Sequence, residues 1–378
     1  MKVQDNAMKV FVKECKSLSL EQVRFLFKPS VTLSIYNTDR EINLDDVVVV
    51  SSADEEANSN ELSDYNVLIY ENVFKEIIEN INKEFCENYD YYHLLYNLNK
   101  SKNPDITTIV SGSSYGLFGF EASKFENSLN LSLASQDLYY AVKGIDHVFK
   151  TNKNIRNIVM FMSYYYFYSD LSKTKNDYEI RRVSKVYKRL FDDEHNCYLL
   201  PPRQSALYSS RLFDIAKLLQ MIVEKECTTG YFNECNPREN FATKLWSDKT
   251  KKWVELTDAE KALAGKSRAD SHNNSLKRLN SLLQNTVLMQ KFVNDYQGLA
   301  NIYIIIPPAT KYYKKYCSDE FKEMFYNVLE IAKDSGASFE VMDFWDDEAF
   351  SDDDFNDMDH LNERGAAKLT CKIKERIQ

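Results

Sequence analysis

The amino-acid sequence predicts an α/β fold, a three-layer sandwich built around a mainly parallel five-stranded sheet. Short β-branched or apolar runs alternate with amphipathic segments, the pattern of a parallel sheet with right-handed crossovers. Hydrophobic residues make up 44% of the 378 residues, which is enough to bury a large core. The predicted strands are residues 107–110, 128–131, 155–162, 302–306 and 339–342.

Amphipathic segments lie between and around these strands. Apolar residues recur at helical spacing over residues 65–98, which predicts one long helix there. Further helices are predicted over residues 137–148, 271–297 and 319–333, and from about residue 362 to the end. Each of these later helices follows or precedes a predicted strand, as crossover connections require.

Two parts of the chain fall outside this alternation. Residues 1–64 predict a small N-terminal extension of uncertain structure, with short strands at 31–36 and 47–50 and a polar loop at its end. The α/β domain takes residues 65–378 and is interrupted by a helical insertion at about 173–297. That insertion fits two interpretations: a cap over an active site, or a solvated appendage or dimer surface.

Composition narrows the function classes. The formal net charge of −9 argues against a general nucleic-acid-binding protein, which would carry a basic surface. The seven cysteines are scattered without a C-x-x-C pair, so neither a disulfide framework nor a zinc ribbon is expected. No segment approaches ~20 apolar residues, so no membrane span is predicted. The N-terminal residues do not resemble a secretion signal, and cytoplasmic residence is therefore expected.

Ser114 is the first candidate catalytic residue. It closes the run Gly112-Ser113-Ser114, directly after the first predicted strand of the sheet. Ligands of open α/β sheets bind beyond the carboxyl ends of the strands. A serine that begins the next helix lies among unpaired backbone N–H groups, which can stabilise an oxyanion. Taken alone, the same residues also fit a simple turn with a helix N-cap.

Asp357 and His360 form the second candidate element, just before the C-terminal helix. Their spacing of three allows the carboxylate to reach Nδ1–H of the imidazole, which leaves Nε2 facing a nucleophile. A solvated acidic loop with a capping residue is the other interpretation of this segment. The spacing and glycine of an EF-hand are missing, and no metal is predicted.

Together, the two elements resemble the SGNH (GDSL-like) hydrolase superfamily. Its catalytic serine lies in a GDS-like block near the first strand, and its Asp and His lie in a D-x-x-H block near the end of the domain. The resemblance implies a flavodoxin-like SGNH fold and a catalytic triad. In that triad Ser114 is the nucleophile, His360 the base and Asp357 the residue that orients the base.

The oxyanion-binding blocks of this superfamily match only in part. Asn130-Leu131-Ser132-Leu133-Ala134-Ser135 resembles the second block, N-x-[GS]-x-x-G, which implies an oxyanion hole made by the backbone N–H groups of Ser114 and Ser135. The third block, G-x-N-D, is absent, because no Asn follows the third strand. Ser163 or Tyr165 could replace that Asn, or the hole relies on the two N–H groups alone.

Three residues are candidates for binding substrate. Tyr165 and Ser163 follow the third strand, and His272 opens a predicted helix that would pass over the carboxyl edge of the sheet. His272 also fits a surface or capping position. Aromatic side chains such as that of Tyr165 suit stacking on sugar rings, but most aromatic residues in such clusters belong to a core or an interface.

The resemblance implies a serine-dependent acyl-ester hydrolase or O-acyltransferase that needs no cofactor. The ending D-x-x-H-L-N-x-x-G, here with Gly365, is similar to branches that modify bacterial cell-surface polysaccharides. The expected partner is an acylated carbohydrate, a glycan precursor or a small acyl ester, and a homo-oligomer is left open. The alternatives are a lipase or thioesterase of the same fold, and a catalytically inactive assembly protein in polysaccharide biosynthesis.

Overall fold

The chain divides into two compact units, Met1–Tyr89 with Gln204–Thr228, and Asp90–Arg203 with Thr229–Gln378. The structure is a computed structural model. It describes residues 9–24, 26–39, 42, 43, 45–53, 62, 65–76, 88–197, 212–214, 217, 251–334 and 336–377.

The first unit contains a parallel four-stranded sheet in the order β2-β1-β3-β4. Its elements are β1 (Lys9–Val12), α1 (Leu20–Arg24), β2 (Thr32–Ile35), β3 (Val47–Val50) and β4 (Asn66–Ile69). All four valines of β3 are buried, which suits a central strand covered on both faces.

The continuous helix predicted over residues 65–98 is wrong at its start. Val67 and Ile69 are β-branched and two apart, and β4 pairs with β3 along its whole length. Residues 70–76 are helical, and the next described helix begins at Tyr89. Because β4 belongs to the first sheet, this unit runs to Tyr89 and not to the expected boundary at residue 64.

The second unit contains the predicted parallel sheet of five strands, in the order β6-β5-β7-β8-β9. Counted within the unit, the order is 2-1-3-4-5, that of flavodoxin-like doubly wound sheets. The strands are β5 (Thr108–Gly112), β6 (Ser128–Asn130), β7 (Asn157–Phe161), β8 (Asn301–Ile306) and β9 (Glu340–Asp343). Every pairing is parallel.

Helices connect these strands and extend the unit. They are α2 (Tyr89–Lys100), α3 (Ser114–Gly119), α4 (Leu138–Thr151), α5 (Asp177–Arg182), α6 (Lys188–Phe191), α7 (Asp258–Asn273), α8 (Leu279–Tyr296), α9 (Lys311–Lys314), α10 (Asp319–Asp334) and α11 (Glu363–Ile377). A short π-helical segment, Val183–Tyr187, joins α5 to α6. No helix in the described part of the chain is long and apolar enough to cross a membrane.

Side chains of β7 alternate between two hydrophobic cores, one on each face of the sheet. Ile158 and Met160 pack in the core that contains α4, α8 and α10. Val159 and Phe161 pack in the other core, with residues of α3 and α11. The five-stranded sheet is therefore the middle of three layers.

The insertion expected at about residues 173–297 is only partly an insertion. Met289, Phe292 and Val293 of α8 are fully or almost fully buried in the main core, so α8 is the crossover helix that leads into β8. Residues 198–211 and 218–250 of the expected insertion lie outside the described residues. The described part that precedes α8 includes α5 and α7, and both helices contribute to the site below.

Candidate active site

Gly112 ends β5 in a conformation that requires glycine. Its φ is +134°, and a Cβ atom there would lie 2.2 Å from the carbonyl oxygen of Phe161 in the neighbouring strand. The chain then turns, and the hydroxyl of Ser113 accepts a hydrogen bond from the N–H of Tyr115 at 3.4 Å as the N-cap of α3. Ser114 is consequently the first residue of α3, half-buried at the carboxyl edge of the sheet.

The loop between β9 and α11 presents His360 to this serine. Nε2 of His360 lies 2.9 Å from the Oγ atom of Ser114. Nδ1 lies 3.0 and 3.1 Å from the two carboxylate oxygens of Asp357. A proton on Nδ1 is therefore held by the carboxylate, and Nε2 accepts the hydrogen bond that the Ser114 hydroxyl donates. The three residues singled out in the sequence meet in the geometry of a nucleophile, a base and an orienting acid.

Backbone hydrogen bonds fix the Asp357 carboxylate within its own turn. Its Oδ1 atom accepts the N–H of Asp359 at 3.0 Å and that of His360 at 2.8 Å. Beyond the turn, the side chain of Asn362 accepts the N–H of Gly365 at 3.0 Å and donates to the backbone carbonyl of Asp353 at 2.7 Å. The loop is thus tied to the first turn of α11.

A second carboxylate, that of Asp359, lies beside the same imidazole. Its Oδ1 atom is 3.4 Å from Nδ1 of His360, and its side chain is fully buried. The Oδ2 atom accepts a hydrogen bond from the Tyr115 hydroxyl at 2.7 Å and another from Nε of Arg268 at 3.0 Å. The imidazole therefore has two carboxylates on its Nδ1 side, and an arginine balances one of them.

Neither Asp359 nor Arg268 was a candidate in the sequence. Asp359 belongs to an acidic run that resembles a solvated loop, and Arg268 comes 91 residues earlier, in α7. One signal was available: Arg268 and His272 are four apart and share a helix face. Only the fold brings that face to the carboxyl edge of the sheet.

Burial and charge act in opposite directions on the pKa values of these groups. Burial alone would lower the pKa of His360, but the carboxylates of Asp357 and Asp359 raise it above the ordinary value of 6.5. Burial alone would raise the pKa of Asp359, but Arg268 and His360 hold it well below its usual range. Asp359 is therefore a charged carboxylate at neutral pH.

Aromatic side chains enclose the imidazole of His360. The Tyr115 ring stacks on it with centroids 5.4 Å apart, and Phe118 meets it edge-on at 5.5 Å. The hydroxyl of Tyr165 donates to that of Tyr115 at 3.2 Å. A chain of hydrogen bonds thus runs from Tyr165 through Tyr115 to Asp359. These contacts limit the freedom of the base to rotate away from Ser114.

The three candidate substrate-binding residues lie in different environments. Tyr165 is half-buried, and its ring packs against that of His272 with centroids 4.0 Å apart. Burial, with Arg268 adding to it, lowers the pKa of His272 to about 3, and its Nδ1 atom is hydrogen-bonded to the Tyr313 hydroxyl. Ser163 is only 2% exposed. Tyr165 and His272 therefore belong to the aromatic surroundings of the site, whereas the Ser163 side chain is buried.

The loop that follows β6 places Ser135 beside the turn that leads into Ser114. The N–H of Leu133 donates to the carbonyl of Gly112 at 3.3 Å, and the N–H of Gly112 donates to the side chain of Gln136 at 3.4 Å. Ser135 has a φ of +57°, the left-handed conformation that glycine favours. The backbone N–H groups of Ser114 and Ser135 donate to none of the residues that the structure describes.

Two groups of described residues bring together atoms of the kinds that ligate metals. One is Asp357, Asp359 and His360, and the other is Asp137, Asp170 and His195. In the first group, both oxygens of Asp357 and Oδ2 of Asp359 already accept hydrogen bonds. Oδ1 of Asp359 accepts none from the described part of the chain, but it faces Nδ1 of His360 at 3.4 Å. Arg268 and the imidazole thus already balance these carboxylates, and their geometry does not call for a cation.

Comparisons with known proteins do not assign the chain to a family. No family model matches it, and no curated protein matches it. Among solved structures, it is similar to a Streptococcus pneumonia protein provisionally described as a platelet activating factor, at 10% sequence identity and a TM-score of 0.34. That match covers 77% of this chain and 96% of the other. Likeness at this level carries no argument about function.

Proposed function

We propose that this protein is a serine-dependent acyl-ester hydrolase or O-acyltransferase that works through an acyl-enzyme. The observation that carries the proposal is the continuous contact from Ser114 Oγ to His360 Nε2 at 2.9 Å and from His360 Nδ1 to Asp357 at 3.0 Å. Ser114 is half-buried rather than enclosed, so an ester can approach it.

In the proposed reaction, Ser114 Oγ attacks the ester carbonyl carbon while His360 Nε2 takes the hydroxyl proton. The tetrahedral intermediate collapses, the bond to the leaving oxygen breaks, and that oxygen takes the proton from His360. Water or an acceptor hydroxyl then loses a proton to His360 and attacks the acyl-enzyme. The returning proton restores Ser114, and the product is a free acid or a new ester.

Two backbone donors support oxyanion binding in this scheme. The N–H groups of Ser114 and Ser135 donate to no other described residue, and both belong to the rim where the acyl group would lie. Neither side chain expected to supply a third donor is free to do so in the structure, since Ser163 is buried and the Tyr165 hydroxyl donates to Tyr115. Losing one such donor typically costs about 10²–10³ in rate. Slow or specialised turnover is therefore expected.

The substrate class rests on the sequence resemblance. The blocks resemble those of the SGNH superfamily, and the C-terminal block is similar to branches that modify bacterial cell-surface polysaccharides, so an acylated glycan or its precursor is proposed. Supporting features are the aromatic rings of Tyr165 and His272 beside the triad, which suit sugar rings. A lipase or thioesterase would instead prefer long acyl chains, and profiling esters from acetyl to palmitoyl separates the two substrate classes.

The test compares the wild-type protein with Ser114→Ala in hydrolysis of p-nitrophenyl acetate. Losing a triad nucleophile typically lowers kcat by about 10⁴–10⁶, so the variant is expected to fall to background while its circular dichroism and melting temperature stay the same. Ser123→Ala is a matched control, because it removes the same hydroxyl from an exposed turn. Wild-type turnover in Ser114→Ala would remove Ser114 from the mechanism.

A further inference from the structure

Arg182 reaches from the end of α5 to the loop that carries Ser135. It is only 4% exposed, and its Nη1 atom donates to the carbonyl oxygen of Ala134 at 2.7 Å. Its Nε atom donates to the carboxylate of Asp90 in α2, also at 2.7 Å. The ion pair with Asp90 aims the guanidinium, so the hydrogen bond to Ala134 has a defined direction.

The carbonyl of Ala134 and the N–H of Ser135 belong to one peptide unit. That unit is planar and trans, so its N–H points opposite to its C=O. A donor that holds the carbonyl therefore also fixes the direction of the N–H. Arg182 binds the carbonyl end of this peptide unit. The Ser135 N–H therefore points away from Arg182, and it has no acceptor among the described residues.

The same helix holds the loop at a second point. Glu179 lies three residues before Arg182, on the same face of α5. Its carboxylate accepts the Ser135 hydroxyl at 3.3 Å and the Thr174 hydroxyl at 2.7 Å. Ser135 itself has a left-handed backbone, which for a residue other than glycine costs roughly 1–3 kcal/mol and persists only when its surroundings hold it. Arg182 and Glu179 provide that hold.

We propose that Arg182 is a positioning residue for the oxyanion hole. By holding the carbonyl of Ala134, it keeps the Ser135 N–H directed at the oxygen that becomes negatively charged when Ser114 attacks. This inference rests on the proposed function. It assigns a role to α5, which lies in the segment that was expected to be an insertion. Arg182 touches no reacting atom and acts only through the peptide that it holds.

The distinguishing property of this role is that it operates in the transition state. A misdirected N–H weakens binding of the oxyanion but not of the neutral ester, so kcat falls while KM stays nearly constant. A purely structural ion pair between Arg182 and Asp90 would instead lower the folded fraction, so that fewer molecules label at Ser114, while kcat per folded active site and the rate constant of labelling stay at the wild-type values.

The experiment compares Arg182→Met with Arg181→Met on the full chain. The control makes the same chemical change at the preceding, half-buried arginine. With p-nitrophenyl acetate, Arg182→Met is expected to lower kcat by about 10–100-fold, less than the ~10²–10³ for complete loss of a donor, with KM within about twofold. The rate constant for phosphonylation of Ser114 by a fluorophosphonate should fall in parallel. Arg181→Met is expected to match the wild type in both measurements.

Arg182→Lys covers the case in which Arg182→Met does not fold. It retains a positive charge for Asp90, but an ammonium lacks the planar fork that reaches both partners, so kcat should still fall. Wild-type kcat in whichever of these variants folds would overturn the inference and leave the proposed function intact. A folded wild-type protein that neither hydrolyses esters nor labels at Ser114 would overturn both.

Discussion

At the scale of single residues, the imidazole of His360 faces two carboxylates that differ in distance from the ring and in hydrogen-bond partners. Asp357 contacts Nδ1 through both oxygens and is held by backbone N–H groups, so it sets the orientation of the ring. Asp359 stands slightly farther away at 3.4 Å and is itself bound to Arg268 and Tyr115. Both carboxylates favour the charged imidazole, and together they overcome the opposing effect of burial on its pKa.

The pH dependence of turnover should report this raised pKa. In the proposed mechanism His360 acts as a base only when it is neutral, so kcat/KM should rise as the pH increases through its pKa, above 6.5. The Asp359→Asn variant lacks one of the two carboxylates that raise the pKa of His360. The acidic limb of the kcat/KM profile should therefore move to lower pH. A profile with an unchanged acidic limb would contradict the role given to Asp359.

Asp357→Asn should have a different effect from Asp359→Asn. An amide at residue 357 no longer stabilises the imidazolium and can hold the ring in the wrong tautomer, which typically costs about 10⁴ in kcat. Steady-state kinetics at the pH optimum of each variant separates the two carboxylates. Equal losses in the two variants would contradict the assignment of Asp357 as the orienting acid.

The sequence predicted one part of this residue network and missed the other. Ser114, Asp357 and His360 could be proposed because their residue types and their order along the chain follow a motif. Arg268 and Tyr115 could not, because their contacts to Asp359 depend on where α7 and α3 pack and not on any local pattern. Ser163 was proposed from its position after a strand, but burial of its side chain could not be predicted from that position.

At the scale of elements, the strand–turn–helix from β5 to α3 determines where Ser114, the proposed nucleophile, lies. Gly112 has a φ of +134° and passes so close to β7 that the turn leaves no room for a side chain. The turn then begins α3 at Ser114, and Gly116 packs against Ser132 of the loop after β6. Small residues thus allow the turn before Ser114 and the loop that carries Ser135 to approach each other closely.

Gly112→Ala should destabilise this element strongly. The added Cβ would lie 2.2 Å from the carbonyl oxygen of Phe161, in a backbone conformation that alanine rarely adopts, and a loss of at least roughly 2 kcal/mol is expected. Gly298→Ala is the matched control, because beyond its two chain neighbours no atom of the described residues lies within 4 Å of the place that its added methyl group would take, and its effect should be small. Chemical denaturation measures both, and equal stability of the two variants would contradict the close approach at Gly112.

The same scale explains which elements could be predicted. Most strands of the main sheet are short runs of β-branched or other apolar residues, and the predicted bounds of all five agree with the structure to within a few residues. The error over residues 65–98 arose because the apolar residues of β4 also fit a helical period when they are joined to the helix that follows. Pairing of β4 with β3 is a non-local contact, and this pairing makes residues 66–69 a strand rather than the start of a helix.

At the scale of the whole second unit, the site depends on a long loop after β9 that reaches across the edge of the sheet to Ser114. β9 lies three strands away from β5, yet the loop after β9 brings His360 back to Ser114. Asp354 holds this loop in place. Its side chain is fully buried and accepts the N–H of Ser351 at 2.9 Å. It also pairs with Lys368 of α11 at 2.6 Å. Burial opposes the charge on Asp354, but the pairing with Lys368 lowers its pKa.

Acid should therefore destabilise this unit. Because the pKa of Asp354 is lower in the folded state than its ordinary value of 3.8, its contribution is present above that value and is lost as the pH falls below it. Lys368→Met should lower the free energy of unfolding at pH 7 by roughly 1–3 kcal/mol, the cost of losing a hydrogen bond to a charged group. The difference from the wild type should shrink at pH 3 in thermal denaturation. An equal difference at both pH values would contradict the anchoring ion pair.

Covalent labelling shows most directly whether His360 activates the Ser114 hydroxyl. The wild-type protein is incubated with a fluorophosphonate, and its intact mass and peptide map are measured. One adduct is expected, on Ser114, forming much faster in the wild type than in a His360→Asn variant and not at all in Ser114→Ala. A folded wild-type protein without an adduct on Ser114, or one that labels no faster than His360→Asn, would contradict the proposal that Ser114 is a nucleophile activated by His360.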